Sequence, residues 1–160
     1  DMIVFDFPAD EFPVTIALDS PLIIEKNLSI NGSISCNSCH RVDQNLGGVD
    51  NEPTSPGAFG KRGGRNSPTV YNAAGHLAQF WDGREPDVEA QAGGPMVNPV
   101  EMAMPAGDNV TKVLKSIPGY APMFAAAFPA SEDPVSYENA AIAIGVGLAG
   151  AALTRRRAAA

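Results

Sequence analysis

Cys36-Asn37-Ser38-Cys39-His40 is the stretch of this chain that most restricts what it can become. Two thiols three residues apart, followed at once by an imidazole, form the C-x-x-C-H run that holds a c-type haem. The thiols add across the haem vinyl groups and the histidine falls beneath the iron as proximal ligand, so one segment supplies both tether and coordination. These are the only two cysteines, and His76 is the only other histidine. A structural zinc site takes four Cys or His ligands, which this inventory barely reaches. A disulfide between residues so close in sequence stabilises little, and the βαβ pattern that frames a thioredoxin-type C-x-x-C is missing. The expected cofactor is therefore one covalent haem c, with Cys36 and Cys39 as anchors and His40 as iron ligand.

A chain of 160 residues has room for one domain with extensions. Its net charge of −7 argues against a nucleic-acid surface and suits an acidic face meeting basic redox partners. The 16 glycines and 14 prolines favour long ordered loops wrapped around a bound group over a regular bundle or sheet. The expected fold is all-α: a cytochrome c-like haem domain with long irregular loops. Haem is attached outside the bacterial cytoplasm, so the chain is read as a mature periplasmic or otherwise extracytoplasmic protein whose export signal has been removed.

Three regions are expected: an N-terminal arm over residues 1–21, a haem domain over 22–142 and an alanine-rich tail over 143–160. No credible sheet is visible. Residues 21–30 suit a helical turn or two before the Asn31-Gly32 turn, and residues 46–68 read as a long loop. Val70, Ala73, Ala74, Leu77, Phe80 and Trp81 approach helical spacing, predicting a helix over 69–81 with Ser67 as cap and Pro68 at its first position. A short helix over 87–92 is closed by Gly93-Gly94-Pro95. Another runs over 109–116, with Asn109 as cap and Pro118-Gly119 as stop, and a last one over 120–128. The apolar part of the tail, residues 140–153, falls short of the roughly 20 residues a membrane span needs, so a buried terminal helix is expected.

Further runs carry a family resemblance: Ser33-Ile34-Ser35 leading into the haem motif, Gly47-Gly48-Val49-Asp50-Asn51, Pro53-Thr54-Ser55, Arg65-Asn66-Ser67-Pro68-Thr69-Val70, Gln79-Phe80-Trp81-Asp82-Gly83-Arg84 and Asn98-Pro99-Val100-Glu101-Met102, continuing through Ile117-Pro118-Gly119-Tyr120 to Phe124 and Pro129. In this order they resemble the N-terminal, peroxidatic haem domain of the bacterial di-haem cytochrome c peroxidases. The resemblance implies that Gln91 and Glu101 lie on the distal side, where hydrogen peroxide binds. It implies that Asn66 helps hold a calcium ion between two haem domains, and that Trp81 lies between two haems.

The residue types suit that chemistry. Cleaving a peroxide requires a proton to leave the near oxygen and reach the departing one, which a carboxylate in a dry pocket can manage; Glu101 is the candidate acid/base and Gln91 the candidate orienter. As a generic residue Trp81 belongs in a core, and as a family residue it relays electrons. Arg65 and Arg84 either pair with haem propionates or cap loops. His76 reads as a surface helix residue. Met96, Met102, Met104 and Met123 are expected to pack around the haem, although a thioether is also the axial ligand of electron-transfer cytochromes.

Two departures stand out. Many family members carry a Gly-His pair after Pro-Thr-Ser whose imidazole fills the sixth iron position at rest; here the pair is Gly57-Ala58, and alanine cannot ligate. The family's second C-x-x-C-H domain is also absent from these residues. The leading expectation is a peroxidase-like module reducing hydrogen peroxide to water, with electrons from a cytochrome, a cupredoxin or a second haem domain. The alternative is a non-catalytic electron-transfer subunit of a larger redox complex; a haem-based sensor is a third reading. A nucleic-acid partner and a membrane anchor are not expected.

Overall fold

The computed structural model describes residues 2–4, 17–19, 33–41 and 48–145, and the expected turns over 21–30 and most of the tail lie outside them. The described part is helical apart from one two-stranded antiparallel ribbon, which pairs β1 (Met2–Val4) with β2 (Ala17–Asp19) in the register Met2 to Asp19. That ribbon, in the arm, was not foreseen. The helices are α1 (Cys36–Cys39), α2 (Val88–Val97), α3 (Gly107–Ser116), α4 (Tyr120–Ala127) and α5, of which residues 137–145 are described. Long irregular segments join them, as the glycine and proline content predicts.

Local chemistry explains the boundaries. Asp87 caps α2 by accepting a hydrogen bond from the Ala90 amide, satisfying one of the helix's orphan donors. The sequence reading closed this helix at Gly93-Gly94-Pro95, but it runs through them to Val97. Pro95 lies inside the helix and has no amide to donate back along it, and the helix ends two residues later, at Val97. Gly93 is buried, and its missing side chain lets the Tyr137 hydroxyl reach its carbonyl at 2.6 Å, which ties α5 onto α2. In α3, Val110 and Leu114 stand one turn apart and are both buried. The helix starts two residues before Asn109, with Ala106 at the cap position, so Asn109 is not its cap.

The main departure is at residues 69–81. No α-helix forms there; the only helical piece is a 3₁₀ turn at Ala73–Gly75. Asn72 and Phe80 both take left-handed backbone conformations, with φ of 59° and 63°, which an α-helix cannot contain. Instead the Gln79 side chain donates to the Ala73 carbonyl at 2.9 Å, and its amide donates to the Glu85 carbonyl at 2.8 Å. The result is a pinned loop that leaves Leu77 fully exposed.

One core holds the domain together. Met96, Met102, Met104, Val110, Leu114, Phe124, Phe128 and Val135 pack with Ala140, Ala141 and Ala143 of α5, so the start of the expected tail is a buried helix. Phe124 and Phe128 stack at 5.9 Å, and Tyr120 meets Phe124 edge-on at 6.4 Å. No helix among the described residues is long and apolar enough to cross a membrane.

Candidate functional site: a cavity facing the C-x-x-C-H motif

Beside α1 lies a cavity of about 370 Å³ whose wall is mostly apolar. Ile34, Val70, Val88 and Met96 supply greasy surface, while Cys36, Cys39 and His40 line one side and Gln91 and Glu101 also border it. Sequence reasoning picked these five polar and thiol residues, and the fold brings them round one space.

The motif is braced from several directions. Ser35 and Ser38 form a reciprocal capping box over the single turn of α1, and the His40 amide closes that turn on the Cys36 carbonyl at 2.9 Å. Ser67, read from sequence as a helix cap, is buried and donates from its hydroxyl to the Cys39 carbonyl at 2.8 Å, while its amide donates to Ser55 Oγ at 3.2 Å. The Cys39 thiol points to the Pro56 carbonyl at 3.3 Å. His40 Nδ1 lies 3.2 Å from the Gly48 carbonyl. A carbonyl only accepts, so the ring proton sits on Nδ1 and Nε2 keeps its lone pair for a metal. Gly48 has φ of +73°, and a Cβ there would lie 2.9 Å from Val70 Cγ2, so this carbonyl is presented by a position only glycine suits.

Electrostatics agree with a haem seat and not with thiol redox chemistry. Burial pushes the Cys36 thiol up, and burial with the nearby Asp50 charge pushes Cys39 up to about 11. Catalytic C-x-x-C thiols are shifted the opposite way. Burial lowers His40, which keeps its imidazole neutral as a ligand must be. Among the described residues no group of three or more His, Cys, Asp or Glu side chains gathers as a metal site. Paired neutral thiols, an imidazole fixed by its second nitrogen, and an apolar wall fit a covalent c-type haem.

Also in the cavity wall, Glu101 sits in a tight turn after α2. Asn98 Nδ2 donates to Glu101 Oε1 at 2.9 Å, and Asn98 Oδ1 accepts from the Val100 amide at 2.9 Å. The Asn98 carbonyl also takes the amides of Glu101 and Ala103, at 3.1 and 2.8 Å. Burial pushes the Glu101 carboxyl above the ordinary carboxylate range, and the Arg84 guanidinium offsets part of that rise.

Ala58 is fully buried, and its amide is shared between the Val100 and Glu101 carbonyls at 2.9 and 3.0 Å. At Gly57 a Cβ would fall 2.1 Å from the Val100 carbonyl oxygen, so the 56–62 loop lies on the Glu101 turn at a distance only glycine permits. Lys61 adds a bond to the Pro99 carbonyl at 3.2 Å. The structural roles of Asn98, Gly57, Gly48 and Ser67 were missed from sequence, although the Asn98-Pro99, Pro56-Gly57 and Gly47-Gly48 pairs were available turn signals.

The remaining residues sort by position. Trp81 is not core: it is 59% exposed at the cavity rim and donates from Nε1 to the Asn66 carbonyl at 3.0 Å. Asp82 receives Arg84 at 2.8 Å and Arg65 at 3.3 Å, and Arg84 lies flat over the Phe80 ring at 3.4 Å. Both arginines border the cavity, so their loop-tying role leaves further donors facing it. Met96 and Met102 lie in the wall, Met104 is in the core and Met123 is more exposed. His76 is exposed and lies outside the cavity wall, at the end of the 3₁₀ turn and not within a helix. Asn66 is exposed, and its carbonyl accepts the Trp81 indole bond.

Comparison with known proteins decides the family. The family model of the di-haem cytochrome c peroxidases matches residues 13–146. This chain belongs to that family. Di-haem cytochrome c peroxidases carry c-type haem, in keeping with the motif and its cavity. The chain is 47% identical over 127 residues to the cytochrome c551 peroxidase of Pseudomonas aeruginosa, covering 79% of this chain and 36% of that protein. It is 43% identical over 126 residues to the cytochrome c551 peroxidase of Nitrosomonas europaea, covering 79% and 37%. It is 39% identical over 132 residues to the methylamine utilization protein MauG of Methylorubrum extorquens, covering 82% and 36%. The chain thus spans little more than a third of these di-haem cytochrome c peroxidase relatives. Peroxidases by name, the first two are oxidoreductases.

Proposed function

We propose that this chain is the peroxide-reacting haem domain of a cytochrome c peroxidase-type oxidoreductase, working outside the cytoplasm and reducing hydrogen peroxide to water. The observation that carries this reading is the shared cavity: Cys36, Cys39 and His40 line it together with Glu101 and Gln91. One haem c would be held by the two thiols and by His40 Nε2. Bound there, it supplies the redox-active iron at which the oxygen–oxygen bond is cleaved.

The chain's own residues supply orientation and protons. Glu101, raised by burial, accepts the proton of the near peroxide oxygen and returns it to the departing one, so that water leaves and not hydroxide. Gln91, on the same cavity wall, orients the peroxide through its amide. Arg65 and Arg84 hold propionates with the donors that Asp82 leaves free. The overall balance is one peroxide, two electrons and two protons giving two waters. The electrons come from a donor cytochrome or cupredoxin, or from a second haem domain by way of Trp81. Any calcium held with Asn66 draws its other ligands from outside the described residues.

The test is spectroscopic. The oxidised haem protein is expected to give a high-spin ferric spectrum by absorption and electron paramagnetic resonance and to react rapidly with hydrogen peroxide, because Ala58 offers no sixth ligand. A low-spin haem inert to peroxide in both oxidation states overturns the proposal. That outcome selects the electron-transfer subunit, for which the buried Met96 thioether in the cavity wall provides a ligand.

A further inference from the structure

The Glu101 carboxylate is held by a residue, Asn98, to which the family resemblance assigned no role. Asn98 occupies the first position of the turn and uses every hydrogen-bonding group it has on the acceptor side: the side-chain oxygen takes the Val100 amide, and the carbonyl takes the Glu101 and Ala103 amides. Its side-chain nitrogen is then aimed at Glu101 Oε1 at 2.9 Å. Among the described residues no other hydrogen bond reaches that carboxylate. The turn itself cannot drift, because Ala58 and Lys61 clamp its outer carbonyls and Ala103 closes it at a φ of +53°.

We propose that Asn98 is the positioning residue of the catalytic carboxylate, fixing Oε1 with a neutral donor so that Oε2 is the oxygen that exchanges a proton with peroxide. The inference rests on Glu101 being the acid/base group. A neutral amide is suited to this place. It restrains the rotamer without the full charge of a lysine or arginine, which would hold Glu101 ionised and too weak a base. The charged groups facing Glu101 fit a graded field. Arg84 stabilises the ionised form from the loop that carries Phe80, the Cys39 thiol in the cavity wall is neutral, and Lys61 is spent on the Pro99 carbonyl.

The decisive variant is Asn98→Asp. An aspartate retains an oxygen for the Val100 amide, so the turn is kept, but it replaces the donor with a like charge against Oε1. In the haem-loaded protein, an infrared titration of the Glu101 carboxyl band, assigned by its loss in Glu101→Gln, should show the midpoint rising by about one unit or more. The peroxide reaction followed by stopped flow should lose about tenfold in rate at a fixed pH on its acid limb. Asn98→Ser retains a turn acceptor but is too short to reach Glu101, and should give a smaller upward shift. It provides the test if the aspartate variant does not fold. An unshifted midpoint in a folded variant overturns the proposal and reduces Asn98 to a turn residue. If Glu101→Gln leaves the peroxide rate unchanged while the infrared midpoint still shifts in the Asn98 variants, the positioning holds and the acid/base assignment of Glu101 is what fails.

Discussion

The two sides of the cavity are built by different means. On the His40 side, the Ser67 hydroxyl and the Gly48 carbonyl bond to the single helical turn and its histidine, and Ser55 in turn holds the Ser67 amide, all through neutral hydrogen bonds in buried or half-buried positions. At the rim, residues 76–85 form a loop pinned once from within, by the buried Gln79, and held on its outer side by exposed ion pairs and one indole bond, with Leu77 and Trp81 turned outward. Buried neutral bonds cost their full desolvation penalty when broken, whereas exposed ion pairs contribute little. The first arrangement fixes a ligand's geometry. The second tolerates change, which suits a surface that meets something outside the domain.

The largest expected effect is at Glu101, between these two regimes. Glu101→Gln keeps the shape and removes the base, and the peroxide reaction should fall by about 10²–10⁴-fold in stopped-flow measurements. Stability should move in the opposite sense. The folded carboxyl titrates above its unfolded value, so the native state binds more protons than the unfolded state between the two, and stability falls as pH rises through that window. Glu101→Gln should flatten this slope in denaturant titrations from acid to neutral pH. A variant with wild-type peroxide reactivity would remove Glu101 from the chemistry and leave the cavity as a haem seat alone.

Next comes the inner brace. Ser67→Ala leaves the Cys39 carbonyl without its hydroxyl donor in a buried position and should destabilise the haem-loaded domain by about 1–3 kcal/mol. The measurement is the denaturation midpoint, read with the haem absorption band so that loosening of the proximal side is seen with unfolding. A change below about 0.5 kcal/mol would show that the inner side is no better braced than the rim, and the contrast would collapse.

What the sequence disclosed follows the same division. The haem motif was legible because covalent chemistry fixes its spacing, and a helix beginning near residue 87 was legible too, although the capping role of Asp87 was not read. Gln91 and Glu101, which line the cavity, were reached through resemblance, since nothing in a lone glutamine or loop glutamate announces a cavity. Residues 69–81 misled because apolar spacing outweighed Asn72 and Gly75, and because Leu77, which should have faced a core, faces water. Gly93-Gly94-Pro95 read as a stop, although the helix runs through all three and Gly93 lies against Tyr137 of α5. Ser67, Gly48 and Asn98 act through partners 28, 8 and 3 residues away, and the turn signals at Gly47-Gly48 and Asn98-Pro99 mark a bend without naming the bond it serves.

The smallest effect is expected at Trp81, and it sharpens the comparison most. Trp81→Phe removes a single exposed bond to the Asn66 carbonyl and little buried area, so stability should change by no more than about 0.5 kcal/mol. The reaction of hydrogen peroxide with the haem-loaded domain should be unaltered, because the indole is bonded outward to Asn66 and makes no bond to Glu101. Only steady-state turnover with a donor cytochrome or a second haem domain should slow, since that is the step in which an exposed aromatic side chain at the rim has work to do. Equal losses in single-turnover peroxide cleavage and in donor-dependent turnover would mean that Trp81 shapes the cavity and that the rim is part of the inner site. A loss confined to turnover with the donor would make the rim the route by which electrons arrive, separate from the braced side that holds the metal and from the carboxylate that moves the proton.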